Sequence, residues 1–341
     1  MDLVLSNSAI YGLISQTDFF EKDIANKENT NKYYVIHKGD FVYNPRKSMY
    51  APYGPINILE QYDVGIVSPL YNCFKIEDKY SMFLKWYFKS TKWHRYVYIH
   101  GDQGARGDRV SIKDEIFFNM PIYIPNELER NKIITLLNIF SRKIELLEAK
   151  ISILKKYKEG IMFRAFIEAQ CRTFKLEELT SNNTITLGRG NIIPKQKGIY
   201  PVYSSSAQNN GLFCYKNDYM FDEELVTWSV DGGGRPFIRK KHKFSITNVC
   251  GFAKINNNNI VNYWWLYICF WNNWKSINFD YTTKAHPSVI DQLYKIKLPT
   301  IDYQIKYSTI LDKIESILKI NNECLFALNK LKKQLMKDLF L

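Results

Sequence analysis

Over residues 127–166 apolar side chains recur in steps of four and three, at Ile133, Leu137, Phe140, Ile144, Leu147, Ile151 and Leu154. That spacing holds one stripe on one face of an α-helix and predicts a long helix that must bury its stripe against a partner. The pattern returns 174 residues later, within 302–340, at Tyr307, Leu311, Ile314, Leu318, Asn321, Leu325 and Leu328, with Asn321 as its one polar break. Pro125 and Pro299 precede the two segments, and Phe166 and Phe340 close them. At ~1.5 Å per residue each helix is expected to be ~60 Å long. The natural partner for each stripe is the other copy, and a lone polar residue such as Asn321 is expected to fix their register. Truncating Leu147 or Leu328 to Ala is expected to cost ~2–5 kcal/mol if the seam is fully packed.

The remaining sequence reads as two α/β segments of one plan. In the first, Val4-Leu5-Ser6, Tyr33–Ile36, Phe41–Tyr43, Gly65–Ser68 and Cys73–Ile76 carry strand patterns, and Met82–Tyr96 reads as a helix. Asp18–Lys32 is polar and reads as loop with a helical turn. In the second, Tyr200–Tyr203, Leu225–Trp228 and Phe252–Ile255 are strand-like. Trp264, Trp265 and Trp271 repeat Trp86, Tyr87 and Trp93 at an offset of 178, and these aromatics read as packing. The order domain, helix, domain, helix predicts a mixed α/β (α+β) protein with a pseudo-two-fold plan and an antiparallel helix pair. The expected boundaries are 1–124, 125–170, 171–298 and 299–341. Phe174–Ile199 precedes the Tyr200 strand, whereas only Met1-Asp2-Leu3 stands before the matching strand of the first domain. An edge strand is therefore expected to be missing there, from an upstream start or a truncated copy.

Composition narrows the function. The chain has 341 residues and a formal net charge of +13, which favours a polyanionic partner. The longest apolar run, Tyr263–Trp271, is under half the ~20 residues of a spanning helix. The opening residues show no secretory pattern. Six cysteines stand singly without metal-ligand spacing, which is consistent with reduced thiols and a cytoplasmic location. Enzymatic motifs are weak. Tyr43-Asn44-Pro45-Arg46 lacks the second proline and aromatic of an amino-methyltransferase motif. Gly232-Gly233-Gly234 and Gly188-Arg189-Gly190 lack dinucleotide spacing. The five histidines are dispersed and read as solvated or capping.

The stronger signal is basic, polar loops that carry aromatics. Arg46, Lys47, Ser48 and Tyr50 share one loop, and Gln103, Arg106 and Arg109 share another. The second domain offers Ser204, Ser205, Asn209, Asn210, Trp228, Arg235, Lys284 and His286. Arg and Lys suit phosphates and guanine edges, and Asn suits adenine, so this set is expected to touch nucleic acid. The lysines at 155, 156 and 158 and at 330, 332 and 333 fit a DNA backbone or the solvated flank of a coiled coil equally well.

The duplicated order, with Gly39-Asp40-Phe41-Val42-Tyr43-Asn44-Pro45, the Pro125–Phe166 helix, the Tyr200-Pro201-Val202-Tyr203-Ser204-Ser205 start and Leu298-Pro299 before the second helix, resembles the specificity subunits of type I restriction-modification systems. Glu129 and Gln304 fall at that family's usual acidic and glutamine positions. The resemblance implies two target-recognition domains separated by two long helices in an antiparallel coiled coil. It implies a non-catalytic subunit whose partners are double-stranded DNA, modification (methyltransferase) subunits and restriction subunits, with no membrane. S-adenosylmethionine, ATP and Mg are then expected on the partner subunits and no cofactor on this chain. Two alternatives stand beside it: a truncated or silent specificity copy that binds modification subunits without directing them, and an independent DNA methyltransferase.

Overall fold

The computed structural model describes residues 3–16, 31–101, 107–206, 208–231, 233–277, 279 and 284–340. The chain divides into two compact units, residues 1–148 with 323–341, and residues 149–322. Most of Asp18–Lys32, and both Gln103 and Arg106, lie outside the described residues.

The strands of the first unit are β1 (Leu5–Ser8), β2 (Gly12–Ser15), β3 (Tyr34–His37), β4 (Phe41–Tyr43), β5 (Ile56–Ile58), β6 (Val64–Val67) and β7 (Asn72–Phe74). They form two antiparallel pairs, β1–β2 and β3–β6, and a three-stranded sheet with β4 between β5 and β7. The helices that follow are α1 (Asp78–Lys89), α2 (His94–His100), α3 (Asp114–Phe118) and the long α4 (Glu127–Glu168). The single helix expected over 82–96 is in fact two. Ser90 is extended, its hydroxyl donates to the Tyr87 carbonyl at 2.6 Å, and the Trp93 indole donates to the Phe88 carbonyl at 2.9 Å. The break folds Trp93 edge-on against Tyr43, with 6.0 Å between ring centroids. The core joins Phe41, Tyr43, Phe83, Trp86 and Trp93 to Ile133 and Leu137 of α4 and to Phe340. Each such side chain gains ~1.5–3 kcal/mol from full burial.

The second unit adds β8 (Thr173–Lys175), α5 (Leu176–Ser181), β9 (Ile185–Arg189), β10 (Tyr200–Tyr203), β11 (Leu212–Lys216), β12 (Phe221–Ser229), β13 (Pro236–Ile246), β14 (Cys250–Ile255), α6 (Tyr263–Ser276), α7 (Pro287–Leu293), β15 (Lys295–Lys297) and α8 (Ile301–Leu339). Its six-stranded sheet runs β11-β10-β13-β12-β14-β9. β13, the longest strand, escapes a hydrophobic reading because Arg239-Lys240-Lys241-His242-Lys243 fills its middle. α6 lies in the core with Trp264, Trp265 and Phe270, as the aromatic spacing predicts. Among the described residues no helix is long and apolar enough to cross a membrane.

The triplet β13-β12-β14 has the same arrangement as β5-β4-β7. β9 covers the outer side of β14, whereas among the described residues no strand covers β7.

The long helices run antiparallel within each unit. In the first, Lys332 Nζ meets Ser141 Oγ at 2.6 Å, while Met336 and Phe340 pack in the core that holds Ile133 and Leu137. In the second, Lys158 pairs with Glu315, and the Tyr303 hydroxyl donates to the Ala165 carbonyl at 3.1 Å. Rising numbers in α4 meet falling numbers in α8 both times. All fourteen seam positions are buried or half-buried. Two expectations need correction. Leu147 and Leu328 are only half-buried, so the full cost belongs to Leu137 and Leu311 instead. Asn321 is buried, but its amide donates to Ile317 of its own helix at 2.6 Å and so does not fix the register by that bond.

Candidate nucleic-acid interface

In the first unit the β4–β5 loop presents Arg46, Lys47, Ser48 and Tyr50. The loop closes on itself: the Arg46 amide donates to Asn44 Oδ1 at 3.0 Å, and the Ala51 amide donates to Ser48 Oγ at 3.1 Å. Gly54 sits at φ +82, and a Cβ there would lie 2.0 Å from the Asn44 carbonyl, so only glycine fits this turn. The fold brings the described end of the second loop, residues 107–110, to the first. The Lys47 amide donates to the Asp108 carbonyl at 2.8 Å, and Arg46 forms an antiparallel bridge with Arg109. The Asp108 carboxylate lies 3.9 Å from Arg46 Nε and 4.0 Å from Arg109 Nε, holding both guanidinium groups at one place. Tyr50 is exposed beside them.

Beneath this loop lies a polar group that pattern reading missed. Buried Asn7 donates to the Val42 carbonyl at 2.7 Å and accepts from Asn57 Nδ2 at 2.6 Å. Buried amides must be paired, and this pair ties β1 to β4 and β5. Its one signal was Asn57 between two isoleucines of β5; β1, Leu-Ser-Asn-Ser, gives none.

In the second unit Ser204, Ser205, Asn209 and Asn210 lie on the β10–β11 connection. Asn209 and Asn210 have φ of 47° and 53°, a left-handed backbone that Gly211 continues. Arg239, also unsuspected, holds them. Its guanidinium donates to the Asn210 carbonyl at 2.9 Å and to Thr227 Oγ1 at 3.0 Å, and it lies 3.8 Å from the Tyr203 ring centroid. Burial lowers its pKa to about 10. The Ser204 hydroxyl accepts from Thr247 Oγ1 at 3.0 Å. The next residue, Asn248, accepts from Arg189 Nη2 at 2.6 Å, and Arg189 Nη1 lies 3.0 Å from His286 Nε2. Lys284 stands at the same place, ion-paired with Asp231 at 3.0 Å. The turn at 247–248 thus connects the serine–asparagine loop to Arg189, Lys284 and His286.

Trp228 does not belong to this face. It is fully buried, tilted against Phe270 at 5.6 Å, and donates to the Ala285 carbonyl at 2.7 Å. A Cβ on Gly251 would come within 2.2 Å of its indole, so the ring fills the space that glycine leaves. An aromatic on a strand flanked on both faces belongs to the core whatever its chemistry. Arg235 is half-buried and lines a cleft of about 470 Å³ with Lys240, Trp264 and Lys319. The histidines divide: His286 caps α7, but His242 stacks on Phe244 at 4.7 Å, and burial beside Trp93 and Tyr53 lowers the pKa of His94. No cluster of metal-ligating residues occurs among the described residues.

Each unit by itself thus offers an anchored, cationic loop face, with Asn209 and Asn210 added in the second. Residues 171–330 match the type I restriction modification DNA specificity domain. A protein of Mycoplasma pneumoniae named as the N-terminus of a type I specificity subunit is 32% identical over 156 residues, covering 44% of this chain and 76% of that one. The chain belongs to the specificity subunits of type I restriction-modification systems. Two further M. pneumoniae proteins named as type I specificity subunits are 36% and 30% identical, and the matches span 25% and 48% of their length. The fold agrees with the crystal structure of the type I S subunit from M. genitalium, at 16% identity and TM-score 0.57, covering 94% of this chain and 87% of that one.

Proposed function

We propose that the chain reads double-stranded DNA as a bipartite site, one half per unit, and carries modification subunits on its long helices. One observation carries this reading: each unit presents a positively charged loop face over a buried polar bond, Asn7 to Asn57 and Val42 in the first and Arg239 to Thr227 in the second. Arg46, Lys47, Arg109, Lys284 and Arg189 suit phosphates, which set register and orientation. Asn209, Asn210, Ser204, Ser205 and Ser48 suit base edges. The chain itself then supplies no chemistry. Methyl transfer and any cleavage, with S-adenosylmethionine, ATP and Mg, fall to the modification and restriction subunits. A protein of known structure from a study of complex assembly in the type I system shares the fold at 14% identity and TM-score 0.54.

The test is methylation mapping with the modification subunits present. Arg46→Ala and Lys284→Ala are expected to damage different half-sites. Removing a side chain that binds phosphate should weaken all sequences alike and lower the salt slope of binding by about 1, whereas removing one that reads a base should cost ~1–3 kcal/mol at one position. Damage to the same half-site by both variants would refute one half-site per unit. Sequence-specific DNA protection that depends on Lys284 but not on Arg46 would leave the first unit as an assembly module only.

A further inference from the structure

Each unit fastens its recognition domain to the helix pair at the same four corresponding positions, of which the tryptophan and the lysine are shared. In the first, the Trp86 indole donates to Asn138 Oδ1 at 3.0 Å, Lys332 Nζ lies 4.8 Å from the indole centroid, and Lys332 bonds Ser141. In the second, the Trp264 indole donates to Asp312 Oδ1 at 2.7 Å, Lys158 lies 5.2 Å from the indole, and Lys158 pairs with Glu315. The helix residues correspond at an offset of 174.

The joints differ in charge. Both ammonium groups at Trp264 have carboxylates: Lys158 has Glu315, and Lys240 has Asp312 at 2.7 Å and Glu224 at 3.1 Å. In the first unit Asn138 and Ser141 replace the two helix carboxylates. Lys85, 5.5 Å from the Trp86 ring, pairs with Glu60 at 2.6 Å, but Lys332 is left with a hydroxyl and an aromatic face. Lys89 lines the same cleft of about 460 Å³. Loss of solvent, and then repulsion from Lys85, lower the pKa of Lys89, and loss of solvent with repulsion from Lys89 and Lys85 outweigh the attraction of Glu145 and Glu148 to lower that of Lys332. Four cations, Lys85, Lys89, Arg142 and Lys332, face two lining carboxylates, Glu60 and Glu145. A concave site with uncompensated, partly desolvated ammonium groups is stabilised by an anion with several acceptor oxygens.

We propose that this cleft binds a phosphate-bearing ligand, held by the ammonium groups of Lys85, Lys89 and Lys332 beside Trp86. The cleft is large enough for a diphosphate or a nucleotide. Isothermal titration and thermal shift on the full chain, at constant ionic strength with chloride as reference, test it with inorganic phosphate, pyrophosphate, inorganic triphosphate and a nucleoside 5′-triphosphate. Pyrophosphate should bind and raise the melting temperature, and Lys332→Gln should weaken it at least tenfold. Ser141→Glu supplies the carboxylate that the second unit already folds with. It should raise the melting temperature without ligand and abolish binding, while Lys113→Gln, a change of charge elsewhere on the unit, should leave binding intact. Tighter binding of the nucleoside triphosphate than of inorganic triphosphate assigns a nucleoside, and equal binding of the two assigns phosphate alone. No response beyond chloride, or equal binding by wild type and Ser141→Glu, overturns the proposal.

Discussion

Leu137→Ala and Leu311→Ala are each expected to lower stability by ~2–5 kcal/mol, the cost of deleting a fully buried leucine and leaving a cavity. Neither side chain is exposed at all, and each joins the core of its unit to one of the long helices. Against the ~5–15 kcal/mol typical of a folded domain, such a loss is severe. Leu328→Ala, at a half-buried seam position, is expected to cost nearer ~1 kcal/mol. Urea unfolding followed by circular dichroism ranks the three. If Leu328→Ala proved as costly as the other two, the seam would be packed more evenly than the structure shows.

Arg239→Met should separate recognition from stability. Burial pulls the guanidinium down to about 10, below its ordinary value, so at neutral pH the buried charge opposes folding. A base depressed in the folded state gains folding stability only as pH rises above that value, well outside the working range. Met removes the penalty, keeps the packing between Tyr203 and Phe237, and removes the donors to Thr227 and Asn210. These opposing changes should leave stability within ~1 kcal/mol of wild type. The left-handed backbone at Asn209 and Asn210 costs up to ~1–2 kcal/mol per residue and loses the bond that holds it. One half-site should then weaken by about 10- to 100-fold, the equivalent of one base contact at ~1–3 kcal/mol. Binding measured on DNA altered in one half at a time checks this. An unchanged half-site would show that the asparagine loop does not read bases.

The sequence by itself determined the elements whose signal is periodic and local. Four-and-three spacing from Ile133 to Leu154 and again from Tyr307 to Leu328 admits little but two paired helices, since a stripe that long must be covered. The 178-residue echo of Trp86 in Trp264 carried the duplication of the domains. Tertiary structure decided which way side chains on strands and loops face. Trp228 and Arg239 sit on adjacent strands, and chemistry alone would send the tryptophan to a ligand and the arginine to solvent. Packing against α6 on one side and the Tyr203 ring on the other puts both inside. The approach of the loop at 107–110 to Arg46, and of Arg189 to His286, joins residues some 60 and 97 positions apart. Sequence patterns report the face of one element at a time. Such meetings depend on several elements closing together, so only the folded chain reveals them.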